Sequence, residues 1–461
     1  MEDEALKLTL WWPDQPESHE ITVCDEIAGD FTSKLPDAIL GTIISLLPTK
    51  DGGRMSALSP RWCHLWRSTP LNLEVRTPPR GCPVSPSAIT PAAVSKIISQ
   101  HLVPIRRFSF QCFLESDLYT QLESWFHSQA LATLQELDIN YQCPHQCSEP
   151  RNPLPPSVFR SASTLLVAKF SYCDFPDEIL PSMNFPLLKQ LSLVDVTISG
   201  EAFHRLLSGC HALESFYMSK VRGKGCLRVS SRTLRSIGVR NAFKEKLELV
   251  IEDAPCLVRV LLPFSCYDDD CVTMRVIWAP KLEILGPLLP VASKLIAQGI
   301  SPVMSANWMR TVKVFCLRSS GLELNAVLNI LRWFPYLEKL YIIFQKHNEK
   351  DKKNVPQYDP LHPIECLQTH LKKVVFKAFV GYEKQVNFAR FFVLHAKVLK
   401  KAEFEVYGEC NTISVAYHHT LLKVENRASR DAQFEFRSKY RRTEYDAHIH
   451  DLSVANPFGH P

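Results

Sequence analysis

Nowhere in this sequence do two cysteines form a C-x-x-C pair, although it holds 15 cysteines. An odd, scattered set argues against a disulfide framework and for a reducing compartment. It also excludes the cross-braced zinc domains that need paired cysteine ligands. No apolar run approaches the ~20 residues that span a bilayer, so no membrane partner is expected. The opening residues are acidic rather than basic and then apolar, so a secretory leader is not expected either. G-x-S-x-G, H-E-x-x-H and kinase signatures are missing, and Gly223-Lys224-Gly225 lacks the spacing and trailing Lys-Ser/Thr of a phosphate loop. These absences predict a cytoplasmic or nuclear protein without catalytic residues.

A few clusters carry ligand chemistry without the pattern a site needs. Cys143, His145 and Cys147, and separately His448, His450 and Asp451, have zinc-binding side chains but no evident second pair. The run from Cys266 to Cys271 is acidic but lacks the glycine and distal glutamate of a calcium loop. No metal and no cofactor are expected.

What is present is ordinary globular material: 46% apolar and 22% charged in 461 residues, enough for two or three domains or one repeat array. The net charge of +5 is uneven, because residues 1–30 hold nine acidic residues against Lys7 alone. The basic excess in the remainder is thinly spread, without the stripe that nucleic acid requires. Nucleic acid is not an expected partner.

The densest pattern runs from Leu35 to Trp66. Pro36 suits a helix start and Asp37 complements its positive end. Leu35, Ile39, Ile43 and Leu46 then recur at helical spacing, with Leu40, Ile44 and Leu47 alongside, until Pro48. Asp51 is a reasonable cap for a second helix carrying Met55 and Leu58, with Gly52 and Gly53 inside it. Ser59 and Pro60 open a third, whose Trp62, Leu65 and Trp66 share one face. So small a unit is expected to leave Ile39, Leu40, Ile43, Trp62 and Trp66 for something else to cover.

Leu35-Pro36-Asp37-Ala38-Ile39-Leu40, Ile43-Ile44-Ser45, Leu46-Leu47-Pro48-Thr49-Lys50-Asp51 and Trp62 with Leu65-Trp66 closely resemble the F-box of plant substrate receptors. The resemblance implies docking on the Skp-type adaptor of a cullin-type ubiquitin ligase. The implied adaptor-binding residues are Leu35, Pro36, Ile39, Leu40, Ile43, Leu46, Leu47, Pro48, Leu58, Trp62, Leu65 and Trp66. Gly52 and Gly53 depart from the family, which usually has helix formers there.

Beyond residue 95 a weaker pattern repeats: an aliphatic residue, two others, then two apolar residues flanking an outward one. Leu134, Leu137 and Ile139 fit, as do Leu188, Leu191 and Leu193; Leu213, Phe216 and Met218; Leu234, Ile237 and Val239; and Leu257, Val260 and Leu262. Met309, Val312 and Val314, then Leu337, Leu340 and Ile342, and Leu371, Val374 and Phe376 continue it. From Leu191 the middle residues lie 25, 21 and 23 apart. Such periods predict leucine-rich repeats with stacked parallel strands; a multistranded globular α/β domain is the alternative. The outward residues Ser192, Tyr217, Gly238, Arg259, Lys313 and Tyr341 show no single ligand chemistry.

Cys366-Leu367, His370 to Val374, Phe379, Phe388 to Leu394 and Ala396 to Lys401 resemble the FBD module that follows such repeats in many plant F-box proteins. The residues read as strand, loop, helix and strand, one more repeat capping the array. The expected α/β architecture is therefore a small three-helix F-box, an irregular leucine-rich-repeat solenoid and a C-terminal FBD cap. Its parts are an acidic leader (1–30), the F-box (31–74), a Pro/Ser-rich linker (75–94), repeats (95–365), the FBD-type module (366–408) and a tail (409–461). Together the resemblances imply a non-catalytic adaptor that presents an unidentified target for ubiquitination. The alternatives are a repeat-based receptor for a small molecule, and a scaffold whose F-box does not lead to degradation.

Overall fold

The computed structural model describes residues 34–47, 49–76, 89–101, 103–112, 116–141, 152–178, 183–223, 226–240, 247–262, 272–288, 310–345, 363–406, 412–438 and 448–459. The acidic leader, Pro48, the Cys143–Cys147 cluster and the Cys266–Cys271 run lie outside these residues.

Three short helices come first: α1 (Asp37–Leu46), α2 (Thr49–Ser56) and α3 (Pro60–Ser68). The Ser59 hydroxyl caps α3, accepting from the Trp62 N–H at 3.3 Å, and Pro60 opens it. Asp51 does not cap α2 as expected; it lies inside the helix, 3.1 Å from Arg54. The reason is Thr49, whose buried hydroxyl donates to the Asn72 carbonyl and so fixes an earlier start. Arg61 ties α3 to α1, with Nη2 2.6 Å from both Asp37 Oδ1 and the Leu35 carbonyl.

The helices bury Leu40, Ile44, Trp62 and Leu65 against one another, with Leu35, Met55 and Trp66 around them. This overturns the expectation that Leu40 and Trp62 await an outside cover: they are 0% and 7% exposed. The unit succeeds because it is not isolated. Trp66 meets His101 edge-on at 5.4 Å, beyond the helices themselves.

The next strand, β1 (Asn72–Arg76), already belongs to the repeat array. With it the main sheet takes β2 (Arg107–Cys112), β3 (Glu136–Tyr141), β4 (Val167–Ser171), β5 (Gln190–Val194) and β6 (Ser215–Ser219). After β7 (Cys226–Ser230) come β8 (Ser236–Arg240), β9 (Leu247–Asp253), β10 (Arg259–Leu261), β11 (Val272–Val276) and β12 (Ile284–Leu288). The last are β13 (Val314–Ser319), β14 (Lys339–Phe344), β15 (Lys373–Phe379), β16 (Lys401–Val406) and β17 (Gln433–Ser438). Fourteen of these form one parallel sheet in chain order, and β11, β9 and β7 form a second, three-stranded one.

A single row of inward residues runs through all fourteen strands: Leu73, Phe108, Leu137, Ala168, Leu191, Phe216, Ile237, Val260, Leu285, Phe315, Leu340, Val374, Ala402 and Phe434. A strand's period of two sends the second apolar residue of each unit to the same side. Helices such as Pro91–Gln100, Gly200–Ser208, Leu324–Leu331 and Glu383–His395 close the core over that side. In three units β7, β9 and β11 replace the helix, their Leu227, Leu249 and Val276 entering the same core.

Three expectations need correction. The unit at Met309, Val312 and Val314 is out of register by three: Phe315 and Leu317 pair with Leu340 and Ile342. Val314 faces the other side, and Lys313 precedes the strand in an exposed pair with Glu283 at 2.7 Å. The stretch read as a linker begins in β1 and ends in the helix Pro91–Gln100; residues 77–88 lie outside the described ones. The FBD-type segment does not end the array. Its two strands are followed by a helix (Thr412–Leu422) and β17, whose Phe436 stacks on Phe404 at 4.7 Å. The apolar face of β16 needs that cover, and the segment read as a tail supplies it.

Candidate functional sites

The first candidate surface is what the helical unit does not bury. Ile39 and Ile43 are exposed along α1, Leu46 is 65% exposed at its end, and Leu58 is 70% exposed in the turn before α3. Pro36 is exposed beside them, and Leu35, Leu47 and Trp66 are half-buried. Leu40, Trp62 and Leu65, expected on the same surface, form its support instead.

Behind this surface is a polar joint that sequence reasoning missed. Asn72 Nδ2 donates to the Ser45 carbonyl at 2.7 Å, and its Oδ1 accepts from Arg106 Nη2 at 3.1 Å. Thr49 bonds the Asn72 carbonyl, and Arg106 reaches Glu136 on β3 at 3.6 Å. His101 Nε2 lies 3.0 Å from the Thr69 carbonyl. The helical unit is thereby bonded to β1 and to Arg106 just before β2, which in turn pairs with β3.

The second candidate surface is the open face of the main sheet, away from the helices. Its middle is unusually apolar for an outward face: Leu261, Ile284, Val314, Cys316, Tyr341, Ile343 and Val375 form a cluster separate from the main core. Residues 448–459 sit on it, with Ile449 and Phe458 fully buried there. Five of the six outward residues picked out from the sequence touch or line this segment; only Lys313 does not.

Arg259 is the centre of the contact. Its Nη2 donates to the carbonyls of Asp451 (2.7 Å), His448 (2.8 Å) and Ile449 (3.2 Å), and its Nη1 to that of Val454 (2.9 Å). Its Nε bonds Ser236 Oγ at 2.9 Å, which in turn donates to the Ile449 carbonyl at 2.7 Å. Next to it Gly238 leaves a notch: a Cβ there would overlap the Ile449 side chain. Ser192 Oγ and Ser215 Oγ lie 2.7 and 2.8 Å from Nε2 and Nδ1 of His450. Burial, aided by Lys169 and Arg259, pulls His450 down to about 4, so its imidazole is neutral at pH 7. At the far end Asn456 Nδ2 donates to Tyr341 Oη at 2.6 Å, and the Phe458 ring lies 5.8 Å from that of Tyr341.

The ring of His450 is taken up by two serines, whereas His448 contributes only its carbonyl, to Arg259. Among the described residues no group of three His, Cys, Asp or Glu side chains is placed to hold a metal ion. No helix among them is long and apolar enough to cross a membrane. Burial pushes the thiols of Cys210 and Cys366 up to about 12 and raises that of Cys316.

Comparison with known protein families matches the F-box domain over residues 32–74 and the FBD over 359–404. Between them, residues 122–342 match the LRR repeats of FBD-associated F-box protein At5g56370. Among curated relatives, F-box/LRR-repeat protein At3g03360 of Arabidopsis thaliana is 28% identical over half of this chain and 47% of its own length. Putative F-box/LRR-repeat protein At5g02930 of the same plant is 33% identical over 52% of this chain and likewise 47% of its own length. The chain thus spans about half the length of these two relatives. F-box/FBD/LRR-repeat protein At5g56420 of Arabidopsis thaliana is 25% identical over 86% of this chain and 95% of its own length. The chain thus carries the F-box, leucine-rich-repeat and FBD domain types in this order and is similar to plant F-box proteins with leucine-rich repeats and an FBD module.

Proposed function

We propose that this protein is the substrate-recognition subunit of a cullin-type ubiquitin ligase. Its F-box docks on a Skp-type adaptor, its repeats hold a target protein, and it makes and breaks no covalent bond itself. The observation that carries the reading is the exposed apolar row Ile39, Ile43 and Leu46 along α1, together with exposed Leu58, over a core that is already complete. Covering the part of each that is still exposed, 38–70%, is worth roughly 0.5–2 kcal/mol, so together they suffice for a specific contact. The contribution to ubiquitination is proximity: a target lysine held near a conjugating enzyme reacts at raised effective concentration. Cytoplasmic or nuclear placement goes with that role.

A receptor for an anionic small molecule would want free cations at the middle of the open face. Arg259 is instead committed to backbone carbonyls, so this alternative gains no support. The test is adaptor capture by Ile43→Asp and Leu46→Asp variants of the full chain. Both should lose capture while unfolding like the wild type, because neither residue is in the core. Leu40→Asp should fail by unfolding the helical unit. Undiminished capture by the folded Ile43→Asp and Leu46→Asp variants refutes the assignment.

A further inference from the structure

We propose that the open face between β5 and β14 is a peptide-recognition groove, which residues 448–459 occupy in place of a target segment. The target segment would turn back on itself as residues 448–459 do, with an adjacent aliphatic residue and histidine followed by an aromatic. This deepens the reading of the repeats as the target-holding part and rests on it.

Four features point to a peptide. Arg259, nearly fully buried, spends its donors on four main-chain carbonyls and one serine rather than on a carboxylate. Backbone carbonyls are what every peptide offers, but only a segment turned as residues 451–454 are brings four of them to one guanidinium, so this part of the groove reads a turn rather than side chains. Specificity comes from the flanks: the notch above Gly238 takes an aliphatic side chain, and Ser192 with Ser215 brackets a neutral imidazole. Each serine hydroxyl can donate or accept, so the pair suits either tautomer. Tyr341 then receives an amide and an aromatic ring.

Two further features make the segment an occupant rather than a part of the array. The array's inward row is complete from β1 to β17 without it. Its buried apolar side chains, Ile449 and Phe458, join only the separate cluster on the open face. A segment joined covalently to its own groove competes at an effective concentration near millimolar, so a target must outbid it or bind where it has been released.

The test uses a fluorescein-labelled peptide with the sequence of residues 446–461, the full-length wild type, and a full-length Ile449→Gly/Phe458→Ala variant. Anisotropy should show the peptide binding the variant at least tenfold more tightly than the wild type. Adding Arg259→Ala to the variant should cost at least tenfold. No binding to a variant that still unfolds cooperatively, or binding indifferent to Arg259→Ala, overturns the proposal. Should the variant not fold, hydrogen exchange in the wild type decides. Millimolar unlabelled peptide should strip protection from residues 448–459, and unchanged protection overturns the groove. No adaptor takes part in these assays, so their failure and a failure of adaptor docking are separate results.

Discussion

Gly52 and Gly53 sit side by side in α2, yet alanine should act on them in opposite directions. In a helix each glycine costs about 0.5–1 kcal/mol relative to alanine, because it gives up more backbone freedom. At Gly53 a Cβ would meet nothing within 4 Å, so Gly53→Ala should recover that whole amount. At Gly52 the same Cβ would stand 3.1 Å from both Cδ1 and Nε1 of Trp66. The indole is held from beyond by His101, so it has little room to retreat. Overpacking of this kind costs about 1–3 kcal/mol, which outweighs the gain in helix propensity. The double alanine change should therefore be less stable than Gly53→Ala alone. Amide exchange reads this locally. Ala57 and Leu58 donate to the Arg54 and Met55 carbonyls at 3.1 and 3.0 Å at the end of α2. Their exchange should slow roughly two- to fivefold in Gly53→Ala, the Boltzmann factor of the gain, and quicken in Gly52→Ala. Equal slowing in both single variants would show that Trp66 does not pack on Gly52.

Three more outcomes follow from the same geometry. Released His450 protonates near 6.5 but docked His450 only at about 4. Docking of residues 448–459 should therefore hold above pH 6.5 and weaken as pH falls toward 4, by at most tenfold per unit, as read by hydrogen exchange of that segment; protection unchanged between pH 7 and 5 would be wrong for a buried neutral imidazole. Asn72→Ala should loosen α1 and α2 by about 1–3 kcal/mol through the two hydrogen bonds it removes, from the Ser45 carbonyl and from Arg106, with the repeats' own unfolding unmoved. Iodoacetamide on the native chain should spare Cys112, Cys173, Cys210, Cys316 and Cys366, which are buried, and a rapid reaction at Cys316 would contradict the covered open face.

The repeats were read where a leucine, isoleucine, valine or methionine fills at least one place of the inward pair, as in Phe216 with Met218 and Val374 with Phe376. Phe108 with Phe110, Ala168 with Phe170, and Ala402 with Phe404 occupy the same places with only phenylalanine and alanine, and were not picked out. Near residue 312 the pattern was satisfied by the wrong triplet, because Val314 belongs to an open face that is itself apolar. A pattern of two can be read only while the outer residues are polar. The helical unit was legible from its spacing, but the division between its core and its surface was not. Leu40 and Ile39 are neighbours of like chemistry, and only packing separates them. The contact between Arg259 and residues 448–454 joins positions about 190 apart, and no local periodicity reports such a pairing.

The joint of Ser45, Thr49, Asn72 and Arg106 turns the sheet into a ruler. Because the helical unit is bonded to β1 rather than hung from it, its distance to any strand is set by counting strands, each about 4.8 Å from the next. Gly238 on β8 lies six strands from β1, so a segment seated there would be carried about 29 Å along the sheet from whatever grips α1. One strand more or fewer between the joint and the groove would move the cargo by a side chain's length.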